Sequence, residues 1–356
     1  MTQRGIRVTI LCIAALATVW WPVPAQAQQN ARIVIKMATL APKGTALAKA
    51  FEEMAIQIQQ KTHGEVAFKT YWGGVQGDEK DVMRKIRLGQ LHGGGFMGAG
   101  LGLVVPEVRV TEIPYVFRNH EEVGYVRRHL QPEMERLFED KGFKVLGWMD
   151  LGFVYTFSKV PLVDLATARK QKWWALEGEP ISQAVYQALD ISPVSLSISD
   201  VATSLSTNLI DCANSTPFGA VAFQWYTKFK YMTGYPATNI QGATIVRKDV
   251  WDRISPEGRR VILDVARAQH TKIEEATRFE DAKALELLRK AGIQIVKYDI
   301  NDKEMRYVFE AAKKARESLV GTLYSRDLLD RTMALVEDYR RTHPNDTTVI
   351  RLDTGK

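Results

Sequence analysis

The sequence predicts an α/β protein of two lobes, and three observations support this prediction. Strand-like and helix-like segments alternate through the first half of the chain and again through the second, which indicates a mostly parallel sheet flanked by helices. The chain has 356 residues, enough for two domains with sizeable cores. One helical pattern begins at Ser255-Pro256 and runs to Gly292, roughly 35 residues or about 50 Å. A helix of that length is expected to brace both lobes.

Residues 1–27 have the pattern of a cleaved signal peptide. Arg4 and Arg7 are followed by an apolar run over residues 8–21 and by an Ala-Gln-Ala cleavage pattern at residues 25–27. The apolar run has about 14 residues, whereas a membrane-spanning helix needs roughly 20. We therefore expect an exported protein that lies in a bacterial periplasm after cleavage.

Composition and motifs exclude several classes of function. Removal of Arg4 and Arg7 lowers the formal charge from +7 to +5, and no basic run or basic-aromatic pattern indicates nucleic-acid binding. The sequence contains no P-loop, G-x-S-x-G, H-E-x-x-H or C-x-x-C pattern. Its six histidines lack metal-ligand spacing. The sequence thus predicts neither catalysis nor a cofactor or metal.

The first lobe begins with a strand over residues 33–38 and a helix that starts near Thr45. A second strand follows, and Asp78-Glu79 then open a second helix. Gly93 to Gly98 formally match G-x-G-x-x-G, but a helix precedes them where a dinucleotide site needs a strand. We therefore expect these glycines to allow close packing. Further segments are predicted at 106–117 (loop), 121–141 (helix) and 143–149 (strand).

The second lobe repeats the alternation after a strand at 154–158 that crosses between lobes. Its predicted elements are a strand at 172–174, a helix at about 181–189, a strand at 209–213, a helix from Pro217, a return strand at 240–246, a strand at 293–297, and helices at about 302–322 and 326–342. Lobe I is thus expected to contain 32–152 plus about 241–280, and lobe II 153–240 plus about 281–342. Residues 343–356 are expected to form a flexible tail.

Two strand ends indicate where a ligand binds. The segments 172–180 and 211–217 each run from an apolar strand into a Pro turn that opens a helix. Open α/β sheets hold small ligands at such crossings. Trp173 and Trp174 are adjacent in a strand and must point to opposite faces, so one is expected in the core and the other in a cleft wall.

Several ordered motifs resemble the solute-binding proteins of tripartite ATP-independent periplasmic (TRAP) transporters, of the dicarboxylate-binding (DctP) type. The resemblance rests on Met-Ala-Thr-Leu-Ala-Pro at 37–42, Gly-Asp-Glu at 77–79, Glu-Ile-Pro-Tyr-Val-Phe at 112–117, and the stretch from Asp200 to Pro217. It implies a two-lobe periplasmic binding protein fold, type II-like, that closes on a small ligand. It also implies delivery of that ligand to the small and large membrane subunits of a sodium-driven permease.

The chain departs from this family at the usual carboxylate clamp. The arginine that pairs with an organic acid in the family falls on Trp174, and a second arginine found in some members falls on about Val154. Either an acid is held by other donors, for which Lys43 and Tyr155 are candidates together with Asn214 and Ser215, or the ligand is not a simple monoacid.

The sequence therefore predicts a receptor for a small organic ligand, an organic acid with aromatic acids among the candidates. The residues expected to bind it are Thr39, Asp78, Glu79, Met97, Tyr155, Trp174, Glu177, Asn214, Ser215 and Phe218. Two alternatives remain open: a periplasmic sensor that feeds a signalling partner, and an enzyme that uses Asp78, Glu79 and Glu177 for acid/base work.

Overall fold

The computed structural model describes residues 32–346. Its strands are β1 (Ile33–Ala38), β2 (Val66–Tyr71), β3 (Gly93–Met97), β4 (Phe143–Ser158), β5 (Trp174–Leu176), β6 (Val194–Leu196), β7 (Cys212–Ser215), β8 (Tyr231–Thr233), β9 (Thr238–Arg247) and β10 (Gln294–Val296). Its helices are α1 (Ala46–Lys61), α2 (Glu79–Arg87), α3 (Gly98–Gly102), α4 (His120–Asp140), α5 (Leu165–Arg169), α6 (Pro180–Ala188), α7 (Val201–Ser206), α8 (Pro217–Ala222), α9 (Lys248–Trp251), α10 (Pro256–Lys290), α11 (Lys303–Ser318) and α12 (Arg326–Thr342). Among these 315 positions, no helix is long and apolar enough to cross a membrane.

Two long strands join the two lobes. The main sheet has the order β10-β8-β4-β9-β3-β1-β2, and β7 pairs with β4. The first part of β4 and the end of β9 pair beside β3, whereas the last part of β4 pairs with β7 and β8. We call the part built on β1–β3 lobe I and the part built on β5–β8 lobe II. Both β4 and β9 therefore cross between the lobes.

The long helix α10 spans the molecule as the sequence predicts. Ser255 caps its N-terminus by accepting a hydrogen bond from the backbone N–H of Gly258, and Pro256 occupies the first turn. The helix packs against α1 and β4 in lobe I and also against α8 in lobe II. Because apolar contacts at both ends hold one rigid element, α10 links the two lobes.

The structure corrects four expectations about local elements. The strands predicted at 143–149 and 154–158 are one strand, β4, with register shifts between them. The segment Pro106–Glu112 forms a 3-10 helix where a loop was predicted. Strands β5 and β7 lie two to three residues later than predicted, so Trp174 begins β5 and Ser215 ends β7. These shifts move both strand ends closer to the turns that follow them.

The C-terminal region also differs from the sequence-based assignment. Helix α12 packs against α4, and Arg340 of α12 pairs with the buried Glu122 of α4 at 2.6 Å, so α12 does not belong with lobe II as predicted. Residue Asp346 accepts a hydrogen bond from Asn119 at 3.0 Å, so the tail is packed at least to residue 346. Residues 347–356 and the predicted signal peptide lie outside the described residues. The other predicted lobe boundaries stay predictions.

Candidate ligand-binding cavity

A cavity of about 310 Å³ lies between the two lobes. Lobe I contributes residues after β1, along β3 and from the 3-10 helix Pro106–Glu112, while lobe II contributes β5, the start of α6, the end of β7 and α8. Most of its lining is apolar. The volume falls in the range of small-molecule sites, and its place at the strand ends is the place that the sequence predicts.

Four aromatic side chains of lobe II line one side of this cavity, and we call them the aromatic wall. They are Trp174, Phe218, Phe223 and Trp225. The rings of Trp174 and Trp225 meet edge to face with centroids 5.4 Å apart, and Phe223 stacks on Trp225 at the same distance. Such aromatic pairs are stabilised by more than the area they bury, so the wall is a well-packed surface.

The two adjacent tryptophans point to opposite sides, as their strand geometry predicts. The indole N–H of Trp173 donates to the carbonyl of Ala168 at 2.7 Å, and its ring packs with Tyr186 in a separate small core. Trp174 lines the cavity, and its indole N–H donates to the carbonyl of Leu196 at 3.0 Å. Trp173 therefore packs in a separate small core, whereas Trp174 is the part of the main hydrophobic core that borders the cavity.

Hydrogen bonds that involve helix α6 and strands β7 and β4 fix the backbone of Trp174. The hydroxyl of Tyr186 donates to the carbonyl of Trp174 at 2.8 Å and accepts a hydrogen bond from the amide Nδ2 of Asn214 at 3.0 Å. The hydroxyl of Thr156 donates to Oδ1 of Asn214 at 2.8 Å. Because each bond fixes the next group, Trp174 is held in place before any ligand arrives.

The cavity lining also contains a buried group that we call the charged cluster: Glu79, Arg109, Glu112 and Glu179. Nε of Arg109 donates to Glu112 at 2.8 Å, and its Nη2 lies 2.6 Å from Oε1 of Glu179. Arg109 comes from lobe I, whereas Glu179 caps the start of α6 in lobe II by accepting from Ile181 and Ser182. The pair therefore joins the two lobes across the cavity.

The acids of the charged cluster have shifted pKa values. Burial raises the pKa of Glu79 to about 8 against the opposing effect of two backbone N–H donors, Met97 at 2.6 Å and Gly100 at 2.9 Å. Burial also raises the pKa of Glu112. Although burial alone would raise the pKa of Glu179, the Arg109 guanidinium and the helix N–H donors hold it below its ordinary value.

Glycines make room for these buried acids. A Cβ atom at Gly98 would overlap the carboxyl of Glu112, and one at Gly100 would come within 2.6 Å of Oε2 of Glu79. In β3, a Cβ at Gly94 would come within 2.7 Å of the carbonyl of Ala38. The glycine-rich run that resembles a dinucleotide motif thus permits close packing around the charged cluster.

Seven of the ten predicted site residues line the cavity: Thr39, Glu79, Met97, Trp174, Asn214, Ser215 and Phe218.

The other three predicted site residues do not line the cavity. Asp78 caps α2 through the N–H groups of Lys80 and Asp81, and Glu177 is exposed and pairs with Lys80 at 3.3 Å. Tyr155 is 2% exposed and belongs to the main hydrophobic core. Lys43, a candidate acid donor, is exposed and outside the lining. Ligand contact by these residues remains a prediction that the cavity does not support.

Sequence reasoning missed the residues that carry most of the charge in the cavity. Arg109, Glu112 and Glu179 are buried and line it, although none was a candidate. The spacing of Arg109 and Glu112 by three residues was the available signal, because residues at i and i+3 share one side of a helical turn. The pairing of Arg109 with Glu179 has no local signature.

Two lobes joined by crossing strands, with a mostly apolar cavity between them, define a solute-binding protein. The chain belongs to the bacterial extracellular solute-binding protein family 7, the DctP family, whose model matches residues 37–319. It is similar to a solute-binding protein of Verminephrobacter eiseniae, with 25% identity over 279 residues that cover 76% of this chain and 80% of the relative.

Solved structures of TRAP periplasmic solute-binding proteins share the fold. One from Pseudomonas putida F1, with bound D-glucuronate, has a TM-score of 0.77 and 24% identity and covers 85% of this chain and 97% of that chain. Another, from Desulfovibrio salexigens with bound orotic acid, has a TM-score of 0.77 and 18% identity, with coverage of 86% and 99%. The family and these neighbours consist of binding proteins for transport.

Proposed function

We propose that this protein is a periplasmic receptor that captures a small organic acid, with aromatic acids among the candidates, and delivers it to a sodium-coupled TRAP permease. The observation that carries the proposal is the cavity of about 310 Å³ between the lobes. Its walls come from both lobes, so closure around a ligand buries it and changes the surface that a membrane partner contacts. The acids bound by the two structural neighbours support the ligand class.

Binding without catalysis is the function that the acidic groups favour. Both oxygens of Glu79 accept backbone hydrogen bonds, Asp78 caps a helix, and Glu177 is exposed in an ion pair. A general acid or base must reach the proton that it transfers, and these three carboxyl groups are already engaged by other partners. The predicted enzyme alternative therefore lacks a constellation of reacting groups.

Native mass spectrometry of the freshly purified protein, followed by a thermal-shift screen of organic acids, tests the receptor step. We expect a co-purified or added organic acid to raise the unfolding temperature. Reconstitution with the small and large membrane subunits tests delivery, and we expect uptake only when this protein and an inward sodium gradient are both present. Uptake without this protein, or turnover of the bound compound, would contradict the proposal.

A further inference from the structure

The four rings of the aromatic wall line the cavity, and the indole N–H of Trp174 is already used. The indole N–H of Trp174 donates to Leu196, and its backbone carbonyl accepts from Tyr186. Phe218 and Phe223 offer only apolar surface. A ligand at this wall therefore meets fixed aromatic faces and edges, which favour stacking against a planar ring.

The charges around the cavity offer little to a carboxylate. Among the lining residues that the structure describes, Arg109 has the one cationic side chain, and three glutamates share the lining with it. Two of them, Glu112 and Glu179, already engage its guanidinium at 2.8 and 2.6 Å. A ligand carboxylate that takes the place of either glutamate has to displace it from Arg109. Such an exchange leaves a buried carboxylate without its partner, which is strongly unfavourable.

We propose that the cavity selects an aromatic, mostly apolar ligand of one or two rings through the aromatic wall, and that a carboxylate contributes little to recognition. This inference rests on the proposed function and narrows its ligand class. The volume of about 310 Å³ is about twice that of the 150 Å³ apolar cavity known to bind benzene. Neutral donors and acceptors such as Ser215 and Thr39 orient the polar part of the ligand.

Titration calorimetry of the wild-type protein with matched compounds tests the inference. The pairs are indole-3-acetate with indole-3-acetamide and phenylacetate with phenylacetamide, and the acyclic acids are succinate and lactate. Because burial of one aromatic ring is favourable, the best aromatic compound is expected to bind about 30- to 150-fold more tightly than either acyclic acid. Removal of the charge within a pair is expected to change Kd by less than about tenfold.

A matched pair of variants locates the effect. Phe218 is half-buried in the aromatic wall, whereas Phe279 is 59% exposed on α10 and outside the cavity. We expect Phe218→Ala to weaken binding of the aromatic compounds about tenfold, since a wall ring is lost, with no effect on acyclic acids. Phe279→Ala is expected to leave all Kd values unchanged, and circular dichroism checks that both variants fold.

The outcomes separate this inference from the proposed function. Acyclic acids that bind as tightly as the aromatic compounds, or an amide that binds more than a hundredfold more weakly than its acid, overturn the inference and leave the receptor function intact. Unchanged aromatic affinity in Phe218→Ala also overturns it. If neither series binds and no small molecule co-purifies, both the inference and the receptor function fail.

Discussion

The charged cluster and the aromatic wall line the same cavity, but their polar groups are used differently. In the charged cluster, Arg109 is engaged by Glu112 and Glu179, and Glu79 by two backbone N–H groups. In the aromatic wall, Trp174 is anchored at its indole N–H and its carbonyl, and its ring contributes to the cavity lining. Charges that lie in a binding cavity therefore need not be the groups that recognise the ligand.

This difference has a physical basis in the cost of burying charge. A buried guanidinium needs partners with good geometry, and removal of one partner exposes the full desolvation penalty of the other. Aromatic faces carry no such penalty and can exchange a neighbouring water for a ligand ring. We infer that the charged cluster joins the lobes and that the aromatic wall selects the ligand.

The largest effect is expected from Arg109→Met. The variant leaves Glu112 and Glu179 buried without their cation, and loss of one partner from a buried ion pair destabilises by about 3–5 kcal/mol. Urea denaturation followed by tryptophan fluorescence measures the change. The control Arg260→Met removes an exposed partner of Glu257 on α10 and is expected to leave the urea midpoint unchanged. Equal midpoints for the two variants would show that Arg109 has no structural role.

A smaller loss is expected from Gly98→Ala. The added methyl group would overlap the carboxyl of Glu112, and overpacking of a buried site costs about 1–3 kcal/mol. The control is Gly124→Ala in α4, where the methyl group meets only the flexible end of Arg128 at 3.1 Å. Its stability should be unchanged or raised by up to about 1 kcal/mol. Equal urea midpoints for the two variants would contradict the expected overpacking at Gly98.

The pH dependence of the free energy of unfolding tests the titration of Asp281, which contacts the backbone of Phe218 in the aromatic wall. Asp281 accepts a hydrogen bond from the backbone N–H of Phe218 at 2.8 Å, and burial raises its pKa to about 7 from an ordinary value of 3.8. The folded state therefore binds more protons than the unfolded state between these values, so the free energy of unfolding falls as pH rises through about 4 to 7.

The variant Asp281→Asn keeps an acceptor for Phe218 and removes the titration. We expect its free energy of unfolding, measured by urea denaturation from pH 4 to 8, to fall less steeply than that of the wild type. Parallel curves for the two proteins would mean that Asp281 does not titrate in this window.

The smallest effect is expected from Glu177→Gln. Glu177 is exposed and pairs with Lys80, and exposed pairs contribute little. Affinity for the aromatic ligand is expected to change by less than about twofold, in contrast to Phe218→Ala. A tenfold loss of affinity in calorimetry would indicate that Glu177 binds the ligand, as the sequence predicts. It would also mean that charged groups take part in recognition.

Local features of the sequence were sufficient for most of the fold. The cap at Asp78 and the start of α10 at Pro256 depend on side chains that bond to backbone groups only a few residues away. The opposite directions of Trp173 and Trp174 follow from strand geometry. Such features could be predicted because their physical causes lie within one turn or one strand.

The charged cluster could not be predicted, because its residues come from distant parts of the sequence. Arg109 and Glu179 lie 70 residues apart in the sequence and meet only after both lobes have formed. The exposure of Glu177 and the burial of Tyr155 likewise depend on neighbours from other elements. Sequence reasoning found two of the aromatic residues that line the cavity, Trp174 and Phe218, but could not determine which acids were engaged elsewhere.

A crystal structure of the protein with its best aromatic ligand tests most directly whether the aromatic wall, and not Arg109, recognises the ligand. We predict that the ligand ring lies against Trp174 and Phe218, while Arg109 keeps its contacts of 2.8 Å with Glu112 and 2.6 Å with Glu179. A ligand carboxylate bound to Arg109 in place of Glu179 would contradict it, because the charged cluster would then be the recognition site and the aromatic wall its support.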